Sequence, residues 1–122
     1  MRKILISIKP EYVDLIFSGE KRFEYRKRVP LDVNTAIVYA TNPVKKIVGE
    51  FRIASIISLH PHKLWEMTKH QSGLSKMAFF EYFANTEIAH ALVIKDIVKY
   101  HEPVELKGIN VKCAPQSWQY ID

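Results

Sequence analysis

Apolar and polar positions alternate along this chain in short blocks, and the blocks change period often. Ile4, Leu5, Ile6 and Ile8 form a β-prone run, predicting a first strand over about residues 3–9. Pro10 suits the first turn of a helix, where its missing N–H costs nothing. Val13, Ile16 and Phe17 then share one helical face, and Gly19 stands where a helix C-cap belongs, so a helix is expected over 10–18. A helix this short must dock on a sheet to persist. Residues 21–28 read as a second strand, closed by Val29-Pro30, and 35–41 as a third, ended by the turn chemistry of Asn42-Pro43.

The stretch 47–59 is β-rich, and Gly49 within it marks a bulge or a close backbone approach. Pro61 opens a second helix over about 62–70, which Gly73 breaks. Ser75 is an N-cap for a third over 76–84, with Met77, Phe80 and Phe83 along its buried stripe. Residues 88–100 read as a long strand ending at Glu102-Pro103. The tail from Ile109 is mostly irregular, although Trp118 and Tyr120 share a parity that suits a closing strand or an aromatic platform for bases. The sum is an α+β chain of five or six strands with two or three short helices. These do not alternate as in a doubly wound sheet, and a small mixed barrel fits.

Chemistry concentrates after Gly19. Lys21, Arg22, Glu24, Arg26, Lys27 and Arg28 follow one another with Phe23 and Tyr25 interleaved. Strand parity places Glu24 and Arg26 on one face, about 7 Å apart. Phe23 and Tyr25 are expected to face the other way, into the barrel. Lys21 has the aromatic parity, so it must lie in the turn to reach the same pocket. The alternative is a solvated strand carrying an i,i+2 ion pair. Glu50 is a candidate neighbour of Lys21 or Arg26.

The pattern Gly19-x-Lys21-x-x-Glu24-x-Arg26 after a helix resembles the signature of the ASCH domain, a family of the PUA-like group of small β-barrels. Val38–Val44, Val48–Phe51 and Pro115–Tyr120 fit the same family, in the same order, and together the segments span nearly the whole chain. The resemblance implies a PUA-like barrel and an RNA- or nucleotide-binding cleft beside the first helix, in a family connected with control of transcription or translation. Lysine and arginine there would hold a phosphate or carbonyl, with Glu24 orienting a water. The ligand-binding set is Lys9, Lys21, Glu24, Arg26, Thr41, Asn42 and Gln116. The alternative is a small hydrolase of a modified nucleoside or of RNA, using Lys21 and Glu24. Some ASCH domains resemble amidohydrolases with a threonine three residues after the lysine and a distant glutamate. Here Glu24 replaces that threonine, and only Ser72 and Glu66 stand near the place of the acid. A carboxylate replaces a hydroxyl poorly in acyl transfer.

Composition narrows the partners. With 122 residues, 48% of them hydrophobic and 25% charged, the chain is expected to form a single domain over 1–122 and not to be disordered. Net charge is +5 and the isoelectric point about 9.3, which favours a polyanion. A third reading is a protein-interaction module whose basic face is incidental; no obligate protein partner is inferred. No run approaches the roughly 20 apolar residues of a membrane span. The start Met1-Arg2-Lys3-Ile4 mimics a signal peptide, but its apolar run stops at Lys9. A lone Cys113 allows no internal disulfide, so the expectation is cytoplasmic. His60-Pro61-His62 has no ligand-spaced partner and Cys113 no neighbouring base, so neither a metal nor a cofactor is expected.

Overall fold

The computed structural model describes residues 2–121. Six strands and three short helices follow in the order β1 (Arg2–Ile8), α1 (Pro10–Phe17), β2 (Phe23–Arg26), β3 (Val33–Ala40), β4 (Lys46–Leu59), α2 (Pro61–Thr68), α3 (Lys76–Tyr82), β5 (Ala89–Val104) and β6 (Trp118–Ile121). Single 3-10 turns at Lys69–Gln71 and Leu106–Ile109 follow α2 and β5. The strands form one sheet in the order β2-β5-β4-β3-β1-β6. β1 runs parallel to β3, and every other neighbouring pair is antiparallel. The sheet curls into a half-barrel of the PUA-like kind. Its two end strands meet through side chains: Trp118 Nε1 donates to the Arg28 carbonyl at 2.9 Å, and Arg26 reaches Ser117 Oγ at 3.0 Å.

Three apolar clusters hold this frame. Ile4, Ile6 and Ile8 point into the curl, with Val13 and Ile16 of α1, Phe51, Leu92 and Trp118. Leu5 has the opposite parity and joins Ile37, Tyr39 and Ile47 on the outer face, beneath the segment carrying Leu106 and Ile109. β1 is therefore buried on both faces, which explains a nearly continuous apolar run where alternation would expose one side. The third cluster lies under α2 and α3, where Leu64, Trp65, Phe79 and Phe83 cover Tyr25, Ala89 and Ala91.

Several local expectations change in three dimensions. β2 is half as long as its sequence suggests. Its parity is inverted relative to the expectation: Tyr25 pairs in register with Ala91 and packs outward under α3, whereas Glu24, opposite Leu92, faces the curl. The charged residues, not the aromatics, look inward. Of the anticipated stripe on α3, Phe83 is buried at the C-cap, Phe80 is half-buried and Met77 is 73% exposed, while Phe79, four residues before Phe83, packs fully against Tyr25 and Trp65. Ser75 Oγ accepts from the Ala78 N–H at 3.1 Å, as expected of an N-cap. β5 continues through Pro103, which its irregular pairing tolerates: the register jumps between Ile47 and Gly49, leaving Pro103 outside the ladder. The tail is less irregular than its composition suggests, since β6 pairs with β1 from Ile6↔Trp118 to Lys3↔Ile121.

Gly49 behaves as its position suggests. A Cβ there would collide with the Phe17 ring and the Val98 carbonyl, and the β3–β4 and β4–β5 registers both shift beside it. Among the described residues no helix is long and apolar enough to cross a membrane.

Candidate functional site

An open cleft of about 690 Å³ lies where the ends of β1, β2 and β3 meet α1, α3 and the tail before β6. Lys9, Lys21, Glu24, Arg26, Thr41 and Gln116 all line it. Asn42 does not: it is exposed in the turn after β3, one residue beyond Thr41, which the strand end brings to the rim. Tyr12 of α1, Tyr82 and Glu81 of α3, and Ser7 and Ser117 of the seam complete the walls. These were not legible as a set. The tyrosines read as ordinary helix residues, and Ser7 gave only the faint signal of one hydroxyl interrupting an apolar strand.

The floor is a buried row of charges. Lys21 is 1% exposed, Glu24 6% and Arg26 8%. Lys21 lies in the turn between α1 and β2, so it escapes strand parity and joins Glu24, its Nζ 3.6 Å from Oε1. Arg26 Nη2 donates to Glu24 Oε2 at 2.5 Å. Taking charges out of water costs several kcal/mol per ion, and hydrophobic residues of similar volume often stabilise as well or better. A row of two cations and one anion, retained at the base of a cleft, therefore reads as a site. Its formal charge of +1 suits one anionic group.

The two cations are not equivalent. Arg26 Nη2 also donates to the Ser7 carbonyl at 3.0 Å, and Nη1 to Ser117 Oγ at 3.0 Å and the Ser117 carbonyl at 3.4 Å. Every terminal N–H of the guanidinium thus has a protein acceptor, and only the buried Nε lacks one among the described residues. Arg26 ties β2 to β1 and to the start of β6 and fixes Glu24. These bonds occupy the terminal N–H groups with which Arg26 was expected to hold a phosphate or carbonyl.

Lys21 is different. Its ammonium donates to the Ser72 carbonyl at 2.6 Å and faces the rings of Tyr25 and Tyr12, 4.9 and 5.4 Å from their centroids. Burial lowers its pKa, with Arg26 adding to the effect, while Glu24 opposes both. The residue that makes room for it is Gly73. At φ +72° it lies against the lysine stem, where a Cβ would stand 2.7, 2.8 and 3.0 Å from Lys21 Cδ, Cγ and Cβ. The Arg22 N–H donates to the Gln71 carbonyl at 2.9 Å, so residues 71–73 form a strap behind the lysine. Gly73 stood out in the sequence only as a helix breaker.

The tyrosines flank this floor. Burial raises the Tyr12 and Tyr82 phenols, and the Glu24 charge adds to both shifts. Tyr25 is pushed up to about 12, chiefly by burial, and donates to Thr68 Oγ1 at 2.7 Å. Other candidates fall away. Glu50 accepts from the Tyr100 hydroxyl at 2.7 Å, away from Lys21 and Arg26. Glu66 is solvent-exposed on α2 and pairs with Lys69 at 2.6 Å, and Ser72 spends its hydroxyl on the Leu74 carbonyl at 2.9 Å. Neither of the two residues the sequence offered for the distant acid lines the cleft, whereas Glu81 of α3 does. No group of three or more His, Cys, Asp or Glu among the described residues is placed to hold a metal ion.

Comparison with known proteins agrees with this geometry. The ASCH domain family pattern matches residues 6–109. The chain belongs to the ASCH domain family. Crystal structures of ASCH from Zymomonas mobilis superpose on this ASCH domain with TM-scores of 0.89 for the unmodified protein and 0.90 for a tyrosine-to-phenylalanine variant. The former is 30% identical and overlaps 98% of this chain and 87% of that one. The latter is 29% identical, covering 100% and 91%. An ASCH domain-containing ribonuclease of Zymomonas mobilis is 33% identical over 122 residues, 93% of this chain and 80% of the relative. A protein of Ureaplasma parvum named large ribosomal subunit protein uL22 is 34% identical over 120 residues. That match takes in 97% of this chain but only 39% of the uL22 protein's length.

Proposed function

We propose that this ASCH domain binds RNA in the cleft, seating one phosphate beside Lys21 and the attached nucleotide between Tyr12, Thr41 and Gln116. The observation that carries this reading is the floor itself: a buried ammonium in a positively charged row, open on one side to a volume suited to a nucleotide-sized group. Glu24 and Arg26 position the lysine and offer little of themselves, because Glu24 faces both cations and the terminal N–H groups of Arg26 are taken by Glu24, Ser7 and Ser117. The ribonuclease name of the Zymomonas relative points to the same class of ligand.

Lys21 also favours a second reading, cleavage of the bound strand. Burial lowers its pKa, which raises the share of neutral amine at mildly alkaline pH. That amine takes the proton of a ribose 2′-hydroxyl, the 2′-oxygen attacks the adjacent phosphorus, and the bond to the 5′-oxygen breaks. A cyclic phosphate remains, and the departing 5′-oxygen takes a proton from water. The resulting ammonium then neutralises the phosphate. Glu24 does not serve as the base here, since both its oxygens face cations.

One experiment addresses both readings. A labelled RNA is mixed with the wild-type chain and with Lys21→Met, and both the bound fraction and the products are followed. The first reading expects binding by wild type and at least a tenfold loss in the variant. The second expects in addition fragments ending in cyclic phosphate, made by wild type only. Equal binding by the two proteins contradicts the cleft reading, and intact RNA at every pH contradicts the second.

A further inference from the structure

The strand that leaves the cleft carries an array that the cleft does not use. Trp118 and Tyr120 follow Gln116 and Ser117 directly and stand edge to face, their ring centroids 5.1 Å apart. Both are pinned: Trp118 Nε1 donates to the Arg28 carbonyl at 2.9 Å, and Tyr120 Oη accepts from the Leu31 N–H at 2.9 Å. On each ring lies a guanidinium. Arg28 Cζ is 4.0 Å from the Trp118 centroid and Arg2 Cζ is 3.4 Å from that of Tyr120. Both arginines are exposed, and among the described residues neither has a carboxylate at ion-pair distance.

The bland account is that these stacks staple the seam of the half-barrel. The seam is already closed without them. Trp118 is 6% exposed and packed in the main core, β6 is hydrogen-bonded to β1, and Arg26 bridges to Ser117. What the two arginines add is a pair of exposed planar cations, each centred over an aromatic ring. A guanidinium plane held in this way can take a base on its free face while its edge N–H groups take a phosphate. Because Arg28 lies over the ring that follows Ser117, the array continues from the wall of the cleft.

We infer that the Arg28–Trp118 and Tyr120–Arg2 stacks form a second binding site, a track for the single-stranded RNA that continues out of the cleft along β6. The inference rests on the proposed cleft reading and adds a prediction of its own: affinity grows with the length of the strand.

The test measures the affinity of a nucleoside monophosphate and of an RNA hexamer for four proteins: wild type, the Arg2→Gln/Arg28→Gln pair, Arg28→Lys and Lys21→Met, each checked by its melting curve. Wild type is expected to bind the hexamer at least tenfold tighter than the monophosphate. The double variant keeps its monophosphate affinity, loses most of that gain, and shows a log–log salt slope shallower by about 1.4, or about 0.7 for each phosphate contact to a single strand. Arg28→Lys keeps the charge but loses the stack, so it recovers the slope of its own contact and not the full affinity. A hexamer bound no tighter than the monophosphate by wild type, or a gain that survives in the double variant, overturns the track. Monophosphate binding that is lost only in Lys21→Met leaves the cleft standing in either case. No monophosphate binding by wild type at all removes the cleft and the track together.

Discussion

The stem of Lys21 crosses Gly73, where any Cβ would stand within about 3 Å of three lysine carbons and the backbone is left-handed. Gly73→Ala meets both obstacles. Left-handed backbone costs a non-glycine residue about 1–2 kcal/mol, and the collision forces the lysine away from the Ser72 carbonyl. We expect urea unfolding to report about 1–3 kcal/mol of lost stability and RNA affinity to fall as it does in Lys21→Met. Retained affinity would show that the lysine does not depend on the strap. The lysine also sets a pH dependence. Burial holds its pKa below the ordinary 10.5, so across the window between the lowered value and 10.5 the unfolded chain holds more protons than the folded one. Stability should therefore rise with pH through that window, and the rise should be missing in Lys21→Met. RNA binding moves the opposite way, weakening as the ammonium loses its proton, whereas cleavage by the neutral amine would strengthen. Parallel binding and cleavage profiles would rule out the amine as base.

Among the elements, β6 shows best what a sequence conceals. Four residues long and flanked by loop-like segments, it gives almost no periodic signal, and only the parity of Trp118 and Tyr120 hinted at a strand. Its stability comes from β1, a partner more than a hundred residues away, and from burial of the indole in the main core. Trp118→Ala removes that anchor and should cost about 3–5 kcal/mol, the range for a buried aromatic. In a domain of this size that corresponds to a melting point lower by roughly 10–20 °C. A loss of only a degree or two would mean that the seam is held by Arg26 alone. β2 teaches the converse. Its residues were readable as a charged strand, but which face looked inward depended on register with β5, and no local pattern carries that. The helices were more legible, because Pro10, Ser75 and Gly19 are punctuation with local physical causes.

The half-barrel brings together at one rim residues from both ends of the chain. Lys9, Lys21, Glu24 and Arg26 were legible because they sit beside a glycine turn within one short segment, and Thr41 and Gln116 because their segments fit the family. Tyr12, Tyr82, Ser7, Ser117 and Gly73 were not, since each becomes part of the site only through the curl of the sheet. The same curl assigned different tasks to the two cations: Arg26 closes the seam and Lys21 faces the cleft. Arg26→Ala should accordingly destabilise the fold as well as weaken binding, since it leaves Glu24 Oε2 and the Ser7 carbonyl without this donor, a loss typically of about 3–5 kcal/mol for a broken buried pair. Lys21→Met should spare the fold by comparison. The most direct measurement of the central claim is the salt dependence of RNA affinity for wild type, for Lys21→Met and for Lys95→Met, which removes an exposed lysine of β5 that does not line the cleft. The account predicts that Lys21→Met weakens binding and makes the log–log slope shallower by about 0.7, the value for one phosphate contact to a single strand, with Lys95→Met indistinguishable from wild type. Equal slopes and affinities for wild type and Lys21→Met would contradict it.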